Sequence, residues 1–98
     1  MKYKNAYLCS NNENLIACQK YLIKKGYYWF SNNNEKDYFE MSDFYDVTEV
    51  VILINENEKS LGWVKYKTTN NFYENYKDVL KPFYNRKDKL KRLLTDEL

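Results

Sequence analysis

The sequence predicts an α+β domain: a small, mainly antiparallel sheet of four or five strands with helices packed on one face. Three observations predict it. Leu15, Ile16, Cys18, Gln19, Leu22 and Ile23 recur at helical spacing, with Lys20, Lys24 and Lys25 on the other side of the same helix. Thr48 to Ile54 is a nearly continuous β-branched apolar run, the pattern of a central strand buried on both faces. The whole chain is 98 residues, room for one core but too little for two ordinary domains, so residues 1–98 are read as a single domain.

Taken in order, residues 3–9 read as a first strand. Ser10 with Glu13 makes a capping box, in which hydroxyl and carboxylate each satisfy an orphan backbone N–H at the helix start. Gly26 supplies the left-handed stop after a basic last turn. Tyr27-Tyr28-Trp29-Phe30 is a short aromatic strand, residues 31–34 a polar turn, and Asp37 to Met41 a partner strand. The central strand follows, then a hairpin tip over Asn55 to Lys59 and a return strand over Leu61 to Tyr66. Asn71 with Glu74 caps a helix over Phe72 to Leu80, which Pro82 cannot continue. A last helix runs from about Arg86 to Thr95. The predicted order is β-α-β-β-β-β-α-α, and helix 1, joining two strands, suggests one right-handed crossover.

Composition narrows the chemistry. Leu, Ile, Val and Phe number 24 of 98, above the floor typical of disordered chains, so the mean hydropathy of −0.84 does not argue against folding. Eleven Tyr and two Trp add buriable area, each with a polar tip that needs a partner. Cys9 and Cys18 are too few and too far apart for a stapled secreted domain or a C-x-x-C site, and read as small core residues. No signal peptide or membrane span is evident, which makes the cytosol the expected compartment. There is no histidine, which removes the commonest general base and the usual zinc and iron ligand sets. Glycine at only two positions rules out a glycine-rich phosphate loop. No catalytic residue, cofactor or metal is expected.

The charges are segregated although the net charge is only +2. Residues 35–58 carry eight carboxylates against one lysine, and residues 77–92 carry seven basic side chains against two acids. Within the acidic part, Asp37, Tyr38, Glu40, Asp43, Tyr45 and Asp46 interleave carboxylates with rings. Such a surface offers a basic, nucleic-acid-binding protein phosphate-like charge and stacking groups, whereas an ordinary edge strand and loop would leave the same acids solvated and the rings in the core. Arg86, Lys87, Lys89, Lys91 and Arg92 offer an alternative phosphate-contacting face, with a solvated helix face as the plain counterpart. Tyr27 to Phe30 read as core and edge packing, since alternation turns two of the four inward whatever their role.

A short strand, an amphipathic helix, the junction Gly26-Tyr27-Tyr28-Trp29, a polar turn and the hairpin from Val50 to Trp63 together resemble small accessory proteins of phages and mobile elements of low-GC bacteria. The likeness covers about residues 3–66, and the lysine- and asparagine-rich composition fits the same gene pool. Some such proteins inhibit host defences. The resemblance implies that context and carries over no site residue; together with the charge polarity and the missing catalytic groups it makes a non-enzymatic, anti-CRISPR-like protein, contacting a host protein directly through the acidic aromatic segment, the expected function. Two other classes stay open: a nucleic-acid or nucleotide-signal binding module using the basic C-terminal helix and aromatics, and a small toxin-like nuclease.

Overall fold

In the computed structural model the described residues are 3–29, 38–43, 48–69 and 71–96, with side chains only as far as 91. They form an α+β fold with a five-stranded sheet. The strands are β1 (Ala6–Cys9), β2 (Tyr28–Trp29), β3 (Val50–Asn55), β4 (Ser60–Lys65) and β5 (Leu80–Pro82), in the order β2-β4-β3-β1-β5. The sheet is mixed. β3 pairs antiparallel with β1 and β4, while β5 runs parallel to β1 and β2 parallel to β4.

β3 lies at the centre, with Val50 to Ile54 all buried. Its side chains alternate between two cores, as a pleated strand requires. Val50, Ile52 and Ile54 face helix α1 (Asn12–Lys24) and pack with Leu15, Cys18, Leu22, Trp29 and Leu61. Val51 and Leu53 face the other way, toward Ala6 and Tyr76. That second face is covered by a 3-10 turn over Asn71–Asn75 and the chain that leads from it into β5.

Helix α1 starts differently from the expected capping box. Asn11 is the N-cap, its side-chain oxygen accepting from the Asn14 backbone N–H at 2.8 Å, while the Ser10 hydroxyl donates instead to the Glu49 carboxylate. Asn11 is the better-placed of two good capping residues. At the other end the Tyr27 N–H reaches the Leu22 carbonyl and the Gly26 N–H the Ile23 carbonyl, a Schellman closure that needs the positive φ of +98° at Gly26.

The predicted helix over 72–80 is not present. One 3-10 turn forms, and Leu80–Pro82 then joins the sheet beside β1. Asn, Tyr and Asp are weak helix formers, and a proline without an N–H is tolerated on an edge strand. The predicted strand over 37–41 also differs: residues 38–40 are irregular and Met41–Asp43 is a 3-10 turn, with Asp37 outside the described residues. The fifth strand is therefore β5. Strands β1 and β2, which α1 joins, are not neighbours, so the expected crossover pair does not form. Helix α2 (Arg86–Asp96) begins beside the first turn of α1, where the Asn85 N–H donates to the Asn14 side chain at 2.7 Å. Among the described residues, no helix is long and apolar enough to cross a membrane.

Candidate functional site

The acidic segment is anchored rather than paired as a strand. Gln19, fully buried on α1, grips the Phe39 backbone from both sides: its amide nitrogen donates to the Phe39 carbonyl and its oxygen accepts the Phe39 N–H, each at 2.7 Å. The same nitrogen donates to the Leu15 carbonyl at 3.1 Å, so the amide is well satisfied. Two turns before Gln19, the Asn12 side chain accepts the Met41 N–H at 2.9 Å. Asp43 accepts the Glu40 N–H at 2.8 Å and closes the short turn. The Phe39 ring meets Trp29 edge-on at 5.2 Å, and Met41 packs against the same core.

Consequently Phe39 and Met41 are inward anchors and Glu40 is exposed between them. Tyr38 is half-buried, with the Lys20 ammonium 5.4 Å from its ring centroid. Of the six expected contact residues, the structure brings Tyr38, Glu40 and Asp43 together on one short platform. Asp37, Tyr45 and Asp46 lie outside the described residues. Sequence reasoning passed over Gln19 and Asn12, which hold the platform. The signal was available: a glutamine inside an apolar helical stripe must find partners.

The basic residues expected on the last helix fall on α2. Arg86, Lys87, Lys89 and Lys91 are exposed along α2 next to an exposed Leu90, and the side chain of Arg92 lies outside the described set. Lysines and rings meet elsewhere. Lys25 sits 4.3 Å from the Tyr21 centroid and donates to its hydroxyl at 2.6 Å, which raises the Lys25 pKa. Tyr21 contacts Phe83, Phe83 contacts Tyr7, and Lys81 lies 4.9 Å over Tyr7. A ladder of three rings thus carries an ammonium group at each end, with Lys24 exposed nearby on α1.

Cys9 and Cys18 are buried free thiols in the α1-side core, as their positions suggest. The neighbouring Cys9 and burial push the Cys18 thiol far up, so it is no thiolate nucleophile near neutrality. A raised folded pKa means that the stability is fully present below the unfolded thiol value of about 8.5 and drains as pH rises above it. The expected result in urea titrations is a stability that falls as pH rises above ~8.5, with a slope approaching about 1.4 kcal/mol per pH unit near pH ~10. Cys18→Ala should flatten that segment; an unchanged slope would remove Cys18 as its cause. Among the described residues no group of three or more acidic or cysteine side chains is placed to hold a metal ion.

No protein-family model, curated protein or solved structure matches this chain.

Proposed function

We infer that the chain is a non-enzymatic binding protein that acts by direct contact with a host protein, with the 38–43 platform at the centre of the contact. The carrying observation is the Gln19 clamp. A buried amide directs two of its three hydrogen bonds at a surface segment that bears a carboxylate and a ring. A segment held in place before binding loses less conformational freedom when a partner arrives, which raises affinity for a given area. Its acidic character selects a basic partner and speeds encounter. A nucleic-acid-binding defence protein is such a partner, and the resemblance to phage and mobile-element accessory proteins supplies that context.

The flanking acids Asp37 and Asp46 belong to the same proposed surface by sequence. Asp43 differs in also closing the 3-10 turn, so it is best left intact in a charge test. Replacing Asp37, Glu40 and Asp46 by lysine is expected to weaken partner binding by at least tenfold, with slower association and an unchanged melting temperature. Binding within twofold of the unaltered chain would contradict the assignment.

The ladder from Lys25 to Lys81 favours a second reading, binding of nucleic acid. Rings flanked by ammonium groups suit a phosphate backbone, and such binding weakens steeply with added salt.

A further inference from the structure

On the sheet face away from α1, a cavity of about 210 Å³ lies at the β3–β4 tip. The pairing register fixes its walls. Leu53 pairs with Gly62 and Asn55 with Ser60, so all four positions share the face that carries Val51. Tyr3 packs against the same core and forms a side wall, its ring edge-on to Phe72 at 6.2 Å and its N–H bonded to the Asn75 carbonyl at 2.8 Å. The floor is bare where β4 has a glycine: a Cβ at Gly62 would meet nothing within 4 Å.

Two polar groups mark the cavity as a binding site. Ser60 is only 4% exposed and lines it, and its hydroxyl makes no hydrogen bond among the described residues. Buried polar groups are normally paired, so this hydroxyl calls for a partner in the cavity. Glu58 is exposed at the edge, and its carboxylate is the only formal charge in the lining. The tip is built to hold both: the Asn55 side chain accepts the Glu58 N–H at 3.2 Å, and Lys59 takes a left-handed φ of +56° that returns the chain to the sheet at Ser60. A second concavity, of about 280 Å³, adjoins through Tyr3, Asn55 and Glu58 and adds Glu56 and Lys4.

We propose that the inner cavity binds the ammonium end of a small aliphatic amine, the charge at Glu58 and Ser60 and the carbon chain along Leu53 and the bare backbone of Gly62. Its volume lies below the roughly 300–1,000 Å³ of sites for drug-sized ligands, which limits the occupant to a few heavy atoms. Charge selects among these. A carboxylate with no cation in the lining admits an ammonium ion and repels an anion. An alcohol of the same length can bond to Ser60 but forgoes the charge-assisted bond to Glu58, about twice as strong as a neutral one. The Tyr3 ring is a favourable wall beside a cation. This site lies apart from the 38–43 platform and does not rest on the contact reading.

The probe is n-butylamine, protonated at neutral pH, added to the intact isotope-labelled chain, with n-butanol and butyrate as neutral and anionic counterparts. Butylamine should move the amide resonances of residues 53–62 saturably, with a dissociation constant on the order of 1–10 mM, as expected of so few atoms. Butanol should bind roughly tenfold more weakly or worse, and butyrate should leave these resonances unchanged. Glu58→Gln should weaken amine binding roughly 10–100-fold and Ser60→Ala roughly 2–10-fold, neither lowering the melting temperature. Gly62→Val fills the floor with a side chain that suits a strand, so it should lose amine binding while melting no lower than the unaltered chain. Lysine substitutions at Asp37, Glu40 and Asp46 should leave amine binding unchanged, which separates this site from the platform. The proposal is overturned by the absence of a saturable shift at roughly 0.1 M amine, by equal binding of butanol, or by full binding in Glu58→Gln or Gly62→Val.

Discussion

Ile52→Ala should destabilise the fold by about 2–5 kcal/mol, toward the upper end for a deletion in a closed core. Ile52 has no exposed surface and sits mid-way along β3, between Tyr7 of β1 and Trp63 of β4 in the register. Its side chain belongs to the cluster that α1 closes through Leu15, Cys18 and Leu22. Removing the larger part of it loses burial and leaves a cavity that neighbours fixed by sheet hydrogen bonds fill poorly. A domain of this length has roughly 5–15 kcal/mol in total, so the variant sits close to the unfolding threshold. The midpoint of urea denaturation measures the effect, with thermal melting expected to fall by about 4–8 °C per kcal/mol. Leu90→Ala is the internal contrast: Leu90 is 55% exposed, and its loss should cost about 0.5 kcal/mol or less. Similar effects at the two positions would contradict the placement of β3 between two cores.

Gln19→Leu should cost about 2–4 kcal/mol, although the substitution puts an apolar side chain of similar size into an apolar helix face. The reason lies in what is lost: the two bonds from Gln19 to the Phe39 N–H and carbonyl. Either these bonds go unreplaced, or residues 38–43 lift off to find water and give up the burial of Phe39 and Met41. In the second case Trp29 loses its edge-on contact with Phe39 and its emission shifts to the red. Gln19→Glu separates the hydrogen bonds from the packing. A carboxylate there faces the Phe39 carbonyl and cannot donate, whereas the protonated acid restores both bonds. Burial raises its folded pKa above the unfolded value of about 4.3. Its stabilising contribution is then fully present below pH ~4.3 and lost as pH rises through the folded pKa. Relative to Gln19→Leu, the glutamate variant should thus gain stability on acidification. Equal stability at every pH would mean that the clamp does not hold the platform.

Local patterns that repeat along the chain were legible in the sequence. The apolar stripe of α1, its glycine stop and the five-residue apolar run of β3 each stand on one periodicity, and each is present with only its ends shifted. Where one local signal competed with a non-local one, the local signal misled. Asn71 and Glu74 suit a helix start, yet the backbone at 80–82 finds hydrogen-bond partners on β1, about seventy residues earlier in the chain. Asp37 to Met41 alternates like a strand, but Gln19 supplies side-chain hydrogen bonds to that backbone in place of a neighbouring strand.

The candidate sites divide in the same way. Tyr38, Glu40 and Asp43 were visible as an acidic aromatic run, because charge and ring content are read directly from composition. The Lys25–Tyr21 pair is also local, an i,i+4 contact on α1. The rest of the ladder joins residues from β1, α1 and β5 that only the sheet order brings together, and the cavity at the β3–β4 tip needs Tyr3 beside its hairpin. The sequence marked the basic residues of α2 instead, because they are contiguous.

The contact role of the platform is tested most directly by capture from a lysate of a low-GC bacterium, nuclease-treated, using tagged chain and two variants side by side. One variant carries lysine at Asp37, Glu40 and Asp46; the other carries Lys25→Glu and Lys81→Glu. The predicted result is one stoichiometric, basic protein partner retained by the unaltered chain and the Lys25/Lys81 variant and lost from the platform variant. Capture that survives the platform substitutions, or nucleic acid recovered only when nuclease is omitted and lost with Lys25 and Lys81, would contradict it and move the functional surface to the lysine–aromatic ladder.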